Sequence, residues 1–493
     1  MTKQPVLTDF PHAVFATAKR RAQAAIQKLR TQLTRSSLSG HAVLFEDVLP
    51  AQWLTEIDPT SRQRAYGHLP VFWAWVAQIL QGNASCTKAA SLIQSWCRSL
   101  GLPAPKSGSS AYCLARKRIQ APFLRQIDAR IQDTLQRGIA ERDLWRGLVL
   151  KAIDGTSVNL DDTPQNQEDY PQINSQKPGC GHPKMGLVGL VNLSHGGLVA
   201  THPCRARQHD ARIAPELLKH LDQGDLLMGD RAFCSYEFIA RIIQERKGHI
   251  LMRLHQARHR KLDWRKGKKV SPIERLVTWQ RPATRPATSS LSKAEWGQRP
   301  VTLTLRYIKL GYENRAGEKA ALVVVTDLLD PETHPAEELA DLYMERWQVE
   351  LKFRDLKTTL GMEHLAVKTP EMARKTIQLM QIAYNLLRLI MQRAAREAGE
   401  KVNHLSVKGI LTCLTSSHES FRIVAGKSHK RSQLYRQFIT DCAGHTLELR
   451  PHRQEPRAIK RRPKNYQMLT KHRHLFEEIP HREFYYKKPR KQA

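Results

Sequence analysis

Acidic side chains are scarce in this 493-residue chain: 46 Asp and Glu stand against 79 Lys and Arg, a formal charge of +33 with a pI near 10.1. An imbalance of that size exceeds what solubility needs and implies a polyanionic partner. Long apolar runs are also missing. None approaches the ~18 residues that cross a bilayer, so nucleic acid is the expected polyanion and a membrane is not. Met1-Thr-Lys-Gln-Pro5 has no apolar core followed by a small-residue cleavage site, which leaves a cytoplasmic location as the expectation. The eight cysteines (86, 97, 113, 180, 204, 234, 413 and 442) never form a CxxC pair. They read as reduced structural thiols, and a zinc site is not expected.

What is present changes texture along the chain, whose length suits two to four domains. Residues 1–145 read as a helical DNA-binding domain. Ala13–Leu33 is Ala-rich and carries Lys19, Arg20, Arg21, Lys28 and Arg30, a helix suited to lie against phosphates. The apolar segment 70–81 reads as core. Residues 86–96, a Gly101/Pro103/Pro105 break, and a Ser-capped helix from Ser109 bearing Arg116, Lys117 and Arg118 have the pattern of a helix-turn-helix.

From 146 to 254 short apolar strands alternate with turns and helices. Residues 148–153 deliver Asp154-Gly155-Thr156; 185–193 and 198–203 flank a Ser194-His-Gly-Gly197 hairpin; a helix at 212–221 leads to 225–229 and Asp230-Arg231; helix 235–247 and strand 249–254 follow. The order β-β-β-α-β-α-β, with an Asp on the first strand and another ending the fourth, is a ribonuclease-H-like α/β layout. Residues 255–319 hold 16 Lys/Arg and 5 Asp/Glu around four prolines and read as a basic β-rich insertion. Residues 320–400 return to the main pattern with a strand at 320–326, a helix from 337 and a long helix from Pro370 to about Gly399. Residues 401–493 form a C-terminal helical region and a tail, in which 14 Lys/Arg outnumber 4 acids from Arg450 onward. Lys460, Arg461 and Arg462 mark its densest part, expected to order only on phosphates.

The helix from Glu337 to Lys357 opens with acids and is closed by Gly361. At about 100° per residue, Tyr343, Arg346, Glu350 and Lys357 share a sector about 60° wide. Leu342, Val349, Phe353 and Leu356 would wall that seam on one side and Ala340, Met344, Trp347 and Leu351 on the other. Asp341, Glu345, Gln348, Lys352 and Asp355 would take the far face. The plain alternative is an Arg346–Glu350 surface pair with a stray Tyr and Lys.

Three carboxylates thus fall at strand ends or in a walled seam: Asp154, Asp230 and Glu350. Such groups repel unless they share a cation, and an all-oxygen set suits Mg²⁺ or Mn²⁺. Two ions could activate a water or a 3′ hydroxyl and stabilise the leaving oxygen of a phosphodiester. Asp161 and Asp162 compete for the first position from a polar loop.

The spacing Tyr343-x2-Arg346-x3-Glu350-x6-Lys357 resembles the Y-R-E-K signature of bacterial insertion-sequence transposases with a DDE triad. Asp154-Gly-Thr and Asp230-Arg231-x-Phe233 resemble the motifs around that group's first and second aspartates. The resemblance spans roughly residues 110–400 and, more loosely, the basic tail. It implies Asp154, Asp230 and Glu350 as catalytic metal ligands, and Tyr343, Arg346 and Lys357 as phosphate contacts, with Arg231 beside them. The implied partners are double-stranded DNA, as terminal inverted repeats and as target, and a second copy of the chain in the end complex. Relatives carry a Trp on the strand entering the Y-R-E-K helix, where this chain reads Ala-Leu-Val-Val-Val-Thr. Trp264, Trp279 and Trp296 are the available substitutes, or else packing residues. A nuclease on the same scaffold that does not transpose, and a DNA-binding protein without catalysis, are the rival readings.

Deleting residues 450–493 should weaken binding to all DNA sequences alike and flatten the slope of log affinity against log salt, because phosphate contacts carry little sequence information. Anisotropy titrations across a salt series measure both.

Overall fold

The computed structural model describes residues 39–58, 65–99, 103–173, 179–206, 208, 210–287, 289–313, 319–424 and 427–448, with Arg21, Ala24 and Leu475 as single residues. The basic helix expected at 13–33, apart from Arg21 and Ala24, and the tail residues Lys460, Arg461 and Arg462 lie outside them.

One ten-stranded sheet organises the described residues. Its strands are β1 (Leu150–Leu160), β2 (Lys184–Asn192), β3 (Leu198–Arg205), β4 (Leu226–Gly229) and β5 (His249–Arg253). They continue as β6 (Lys268–Ser271), β7 (Glu274–Gln280), β8 (Thr302–Glu313), β9 (Lys319–Thr326) and β10 (His364–Leu365). The spatial order is β3-β2-β1-β4-β5-β9-β8-β7-β6, with β10 beside β1. The first three strands form an antiparallel meander, while β4 and β5 run parallel to β1. Helices cover both faces of this mixed α/β sheet.

The strands of the basic 255–319 segment do not form a separate sheet. They pair outward from β9, which itself pairs antiparallel with β5. A buried bolt ties this extension to the chain that follows it. Arg306 on β8, fully buried, donates to Glu274 of β7 and to the carbonyls of Leu328, Asp330 and His334. Those carbonyls belong to the loop entering the helix Ala336–Met344.

Alternation along the strands creates two cores. On one face Ala152, Val158, Leu187, Val191, Met228 and Leu251 meet a helical layer. The helices Ala121–Arg137 and Pro370–Ala398 lead that layer, the latter with the extent its Pro370 start and Gly399 stop prescribe. On the other face Ile153, Val188, Leu190 and Ile250 pack on Leu217, Phe238 and Ile239. Two expected helices are less regular than their apolar spacing suggests. The 212–221 segment is a four-residue α-turn followed by a 3₁₀ stretch, and the 235–247 helix ends in a π-turn after Arg241.

The N-terminal helices His68–Leu80, Cys86–Ser99 and Ser110–Arg118 join the same helical layer. Arg116, expected to face DNA, is instead buried between aromatic rings, 5.0 Å from the Trp75 centroid and 5.3 Å from that of Tyr112. The helix is nine residues long and lies with Tyr112 and Ala115 inward. Arg116, four residues on from Tyr112, follows them into the core and exchanges hydration for the ring faces. Lys117 and Arg118 remain exposed.

Asp128 lies where the two long helices cross. One carboxyl oxygen accepts a 2.7 Å bond from Gln381 and the other is buried without a partner. Burial pushes this carboxyl up to about 7, against about 3.9 in an unfolded chain. The native state therefore keeps a proton that the unfolded state has lost. The stability this contributes is complete below about pH 4 and disappears as pH rises through 7. Asp128→Asn keeps the shape without the ionisation. Denaturant melts should show a flatter profile between pH 5 and 8, with the variant gaining about 3 kcal/mol on the parent over that interval.

Candidate active site

The sheet has a gap on one edge of β1. Leu150–Ala152 pair with β4 and Asn159–Leu160 pair with β10, while residues 153–158 pair only with β2 on the opposite side. The sequence suggests that β1 stops at Asp154, but it runs on to Leu160, so Asp154 lies mid-strand at the mouth of this gap. Asp230 directly follows β4. The register Ala152↔Met228, continued by two residues, sets Asp154 and Asp230 side by side on one face. Backbone N–H groups hold both carboxylates: within β1 Asp154 accepts from its neighbour Gly155 N–H at 2.8 Å, and in the turn after β4 Asp230 accepts from Ala232 N–H at 2.7 Å. Phe233 is buried beneath this turn, which explains the Asp-Arg-x-Phe spacing.

The third carboxylate arrives from above. The 337–357 segment is not one straight helix: Ala336–Met344 is α, Glu345–Trp347 is 3₁₀, Gln348–Arg354 is α again, and Asp355–Thr359 is a π-turn. Three residues at 3.0 per turn advance the helix phase by about 60°. This rotation changes which residues face inward. Leu342, Val349, Phe353 and Leu356 are buried as expected, but the other stripe is not: Met344 is 56%, Trp347 53% and Leu351 38% exposed. Lys352, expected on the far face, is buried instead, with Gln348 Oε1 at 3.4 Å, and burial holds its amine well below the usual lysine range. The seam thus has one apolar wall and one open side.

Within it Tyr343 and Arg346 are buried and Glu350 is half-exposed. Arg346 bridges two carboxylates, with Nη1 3.5 Å from Asp154 Oδ2 and Nη2 3.3 Å from Glu350 Oε1. Its guanidinium also lies 5.1 Å from the Trp347 ring centroid. Asp154 is pushed up to about 6, first by burial and then by the charges of Asp230 and Glu350, against the pull of Gly155 N–H and Arg346. Asp154 therefore senses both other carboxylates across the gap. Burial raises the Tyr343 hydroxyl to about 12, and Arg346, Arg253 and Asp230 lie around it. Tyr343 stays protonated and can donate.

Lys357 is half-buried on the π-turn. Arg231 is exposed beside Asp230. Asp161 pairs with His364 at 3.0 Å and Asp162 accepts from Gln167 at 2.9 Å, so both are engaged away from the gap. Trp279 and Trp296 are buried, Trp279 beneath Arg258 and bonded to Tyr307, and Trp264 is half-buried with Arg275 over its ring. All three behave as packing residues. One site neighbour escaped the sequence reading: Arg253, which ends β5 beside Tyr343. A cation closing an apolar strand was its only signal.

Among the described residues no three Asp, Glu, His or Cys side chains are close enough together to hold a metal ion. The donors nevertheless suit a divalent cation in chemistry and placement. They are oxygen-only, they share one gap, and the charges of Asp230 and Glu350 add to the burial that raises Asp154. Arg346 stands between two of them and carries the compensating charge.

The Transposase DDE domain family model matches residues 145–386, from the strand before the gap into the long helix. The chain is 24% identical over 371 residues to transposase InsG for insertion sequence element IS4 of Escherichia coli K12, covering 74% of this chain and 80% of that protein. It is 31% identical over 140 residues to the putative transposase InsZ of the same strain, 28% of this chain and 46% of that one. A 75-residue stretch is 37% identical to the transposase for insertion sequence element IS421 of Escherichia coli, 15% of this chain and 20% of the relative.

Arg346→Met should raise the Asp154 titration midpoint above its value of about 6, because removing the cation disfavours the ionised form. Carbon-detected NMR of aspartate-labelled protein reads this directly.

Proposed function

The chain belongs to the DDE transposases of insertion sequences, enzymes that cleave DNA and transfer the cut strand, and from that premise we propose that Asp154, Asp230 and Glu350 are its catalytic triad. The observation that carries the reading is their convergence on the gap in β1, two from adjacent parallel strands and one from the helix above. Chemistry of this family depends on divalent ions, and the all-oxygen donor set favours Mg²⁺, with Mn²⁺ able to substitute. Two such ions, when bound, supply Lewis-acid activation of the attacking oxygen and charge neutralisation at the leaving oxygen of the phosphodiester.

The protein's own groups do the rest. Gly155 and Ala232 N–H aim the two aspartates. Arg346 and Lys357 hold phosphates of the DNA end without competing for the metal, since neither donates a lone pair. Tyr343 donates its hydroxyl from a buried, protonated state, and Arg253 and Arg231 extend the phosphate-binding rim. The strand order β3-β2-β1-β4-β5 supports a ribonuclease-H-like scaffold, and Lys117 and Arg118 on the N-terminal helices support a DNA-binding role there. The substrate is double-stranded DNA, read at terminal inverted repeats, with two copies of the chain in the end complex in the cytoplasm.

Asp154→Asn, Asp230→Asn and Glu350→Gln should each lower Mg²⁺-dependent cleavage of the element's ends by roughly 1000-fold or more. Binding of the ends in gel-shift assays should persist or strengthen slightly, because a repulsive charge facing phosphate is gone. A variant that still cleaves near the parental rate would remove that residue from the site. Equal affinity for the ends and for random DNA would favour the non-transposing nuclease instead. Lys357→Ala should slow end-complex assembly and cleavage with metal affinity unchanged, and Lys357→Arg should do so less.

A further inference from the structure

The segment carrying Glu350 has a defined resting place on the sheet. In β2 the run Leu187-Val188-Gly189-Leu190-Val191 interrupts bulky residues with one glycine, and Gly189 pairs directly with Asp154. A Cβ on Gly189 would stand 2.7 Å from Phe353 Cζ and 2.9 Å from Cε1, with Leu198 Cδ1 at 3.5 Å. Phe353 is one turn beyond Glu350 on the same seven-residue α-segment, which irregular turns bound at both ends. The backbone of Gly189 lies outside the left-handed region, so no conformational demand calls for glycine there. Strand propensity and chain entropy both favour any larger residue. Space for the phenyl ring is what remains to explain it.

We infer that Gly189 is a positioning residue for the DNA-cleavage reaction: by letting the Phe353 ring rest on β2, it sets how closely Glu350 approaches Asp154. This rests on the triad assignment above. A methyl at 189 would lift the segment along the direction that separates the two carboxylates, since Asp154 is the cross-strand partner of Gly189. Glu350 and Asp154 would hold a divalent cation together only within a narrow spread of separations, so a small lift would have a large consequence.

The test compares Gly189→Ala, Phe353→Leu and the double variant in the full-length chain. Mn²⁺ affinity without DNA is read from the free-ion electron paramagnetic resonance signal, alongside end cleavage, DNA binding and thermal midpoint. Gly189→Ala should weaken Mn²⁺ binding by about 10-fold to 100-fold and slow cleavage by about 100-fold, with DNA affinity unchanged. The smaller leucine in the double variant should restore most of both. If Gly189→Ala fails to fold, Phe353→Leu alone decides, because loss of the ring should weaken Mn²⁺ binding while DNA affinity holds. Parental Mn²⁺ affinity and cleavage in folded Gly189→Ala, or no recovery in a folded double variant, would overturn the inference. Glu350→Gln separates the two levels: if it is inactive while Gly189→Ala is normal, only the seat is wrong. If Glu350→Gln cleaves, the triad itself is wrong.

Discussion

Burial of Asp154 beside two further carboxylates is the constraint that the rest of this molecule accommodates. Asp154 and Asp230 are brought together by strand pairing, and Glu350 by a helix above the same gap; each charge makes ionising Asp154 harder. Nothing in local chain preference favours such an arrangement. It persists because the hydrogen bonds and packing of the sheet fix the two aspartates, while Arg346, buried between Asp154 and Glu350, offsets part of the charge. A buried guanidinium is itself costly to desolvate, which it recovers through two carboxylates and a ring face.

The long separation between the second and third carboxylates follows from the same logic. Strands β6 to β9 occupy much of the chain between Asp230 and Glu350, and they extend the sheet instead of leaving it. Extension keeps the returning chain in register with the core, so the helix that follows β9 descends onto the face that bears Asp154. Arg306 secures this return by binding the carbonyls of the loop just before that helix. Truncating such a buried, multiply bonded cation leaves Glu274 without its partner, the kind of loss that costs about 3 to 5 kcal/mol.

Cations serve two purposes here that look identical in a composition. Lys117, Arg118 and Arg231 are exposed and available to phosphate, whereas Arg116, Arg306 and Lys352 are buried. The net charge of +33 therefore overstates the surface that DNA can meet. It also explains why a basic cluster on a helix is a weaker guide to an interface than its charge suggests: Arg116 is drawn inward by Trp75 and Tyr112, which lie distant and near in sequence.

Strand order, both aspartate motifs and the inward stripe of the Glu350 helix were legible in the sequence because they rest on period-two and period-3.6 alternation, which are local. The Arg346–Glu350 pair was legible for the same reason, since a single helical turn is too short for errors in pitch to accumulate. Only the tertiary structure decided what depends on phase and on distant partners. The 3₁₀ turn at Glu345–Trp347 rotated Lys352 inward and Trp347 outward. The extension of β1 past Asp154, the place of Arg253 and the fit of Phe353 over Gly189 likewise depend on neighbours tens to hundreds of residues away. No local pattern encodes them, because the energy that selects them is packing and charge across the sheet rather than the preference of any segment.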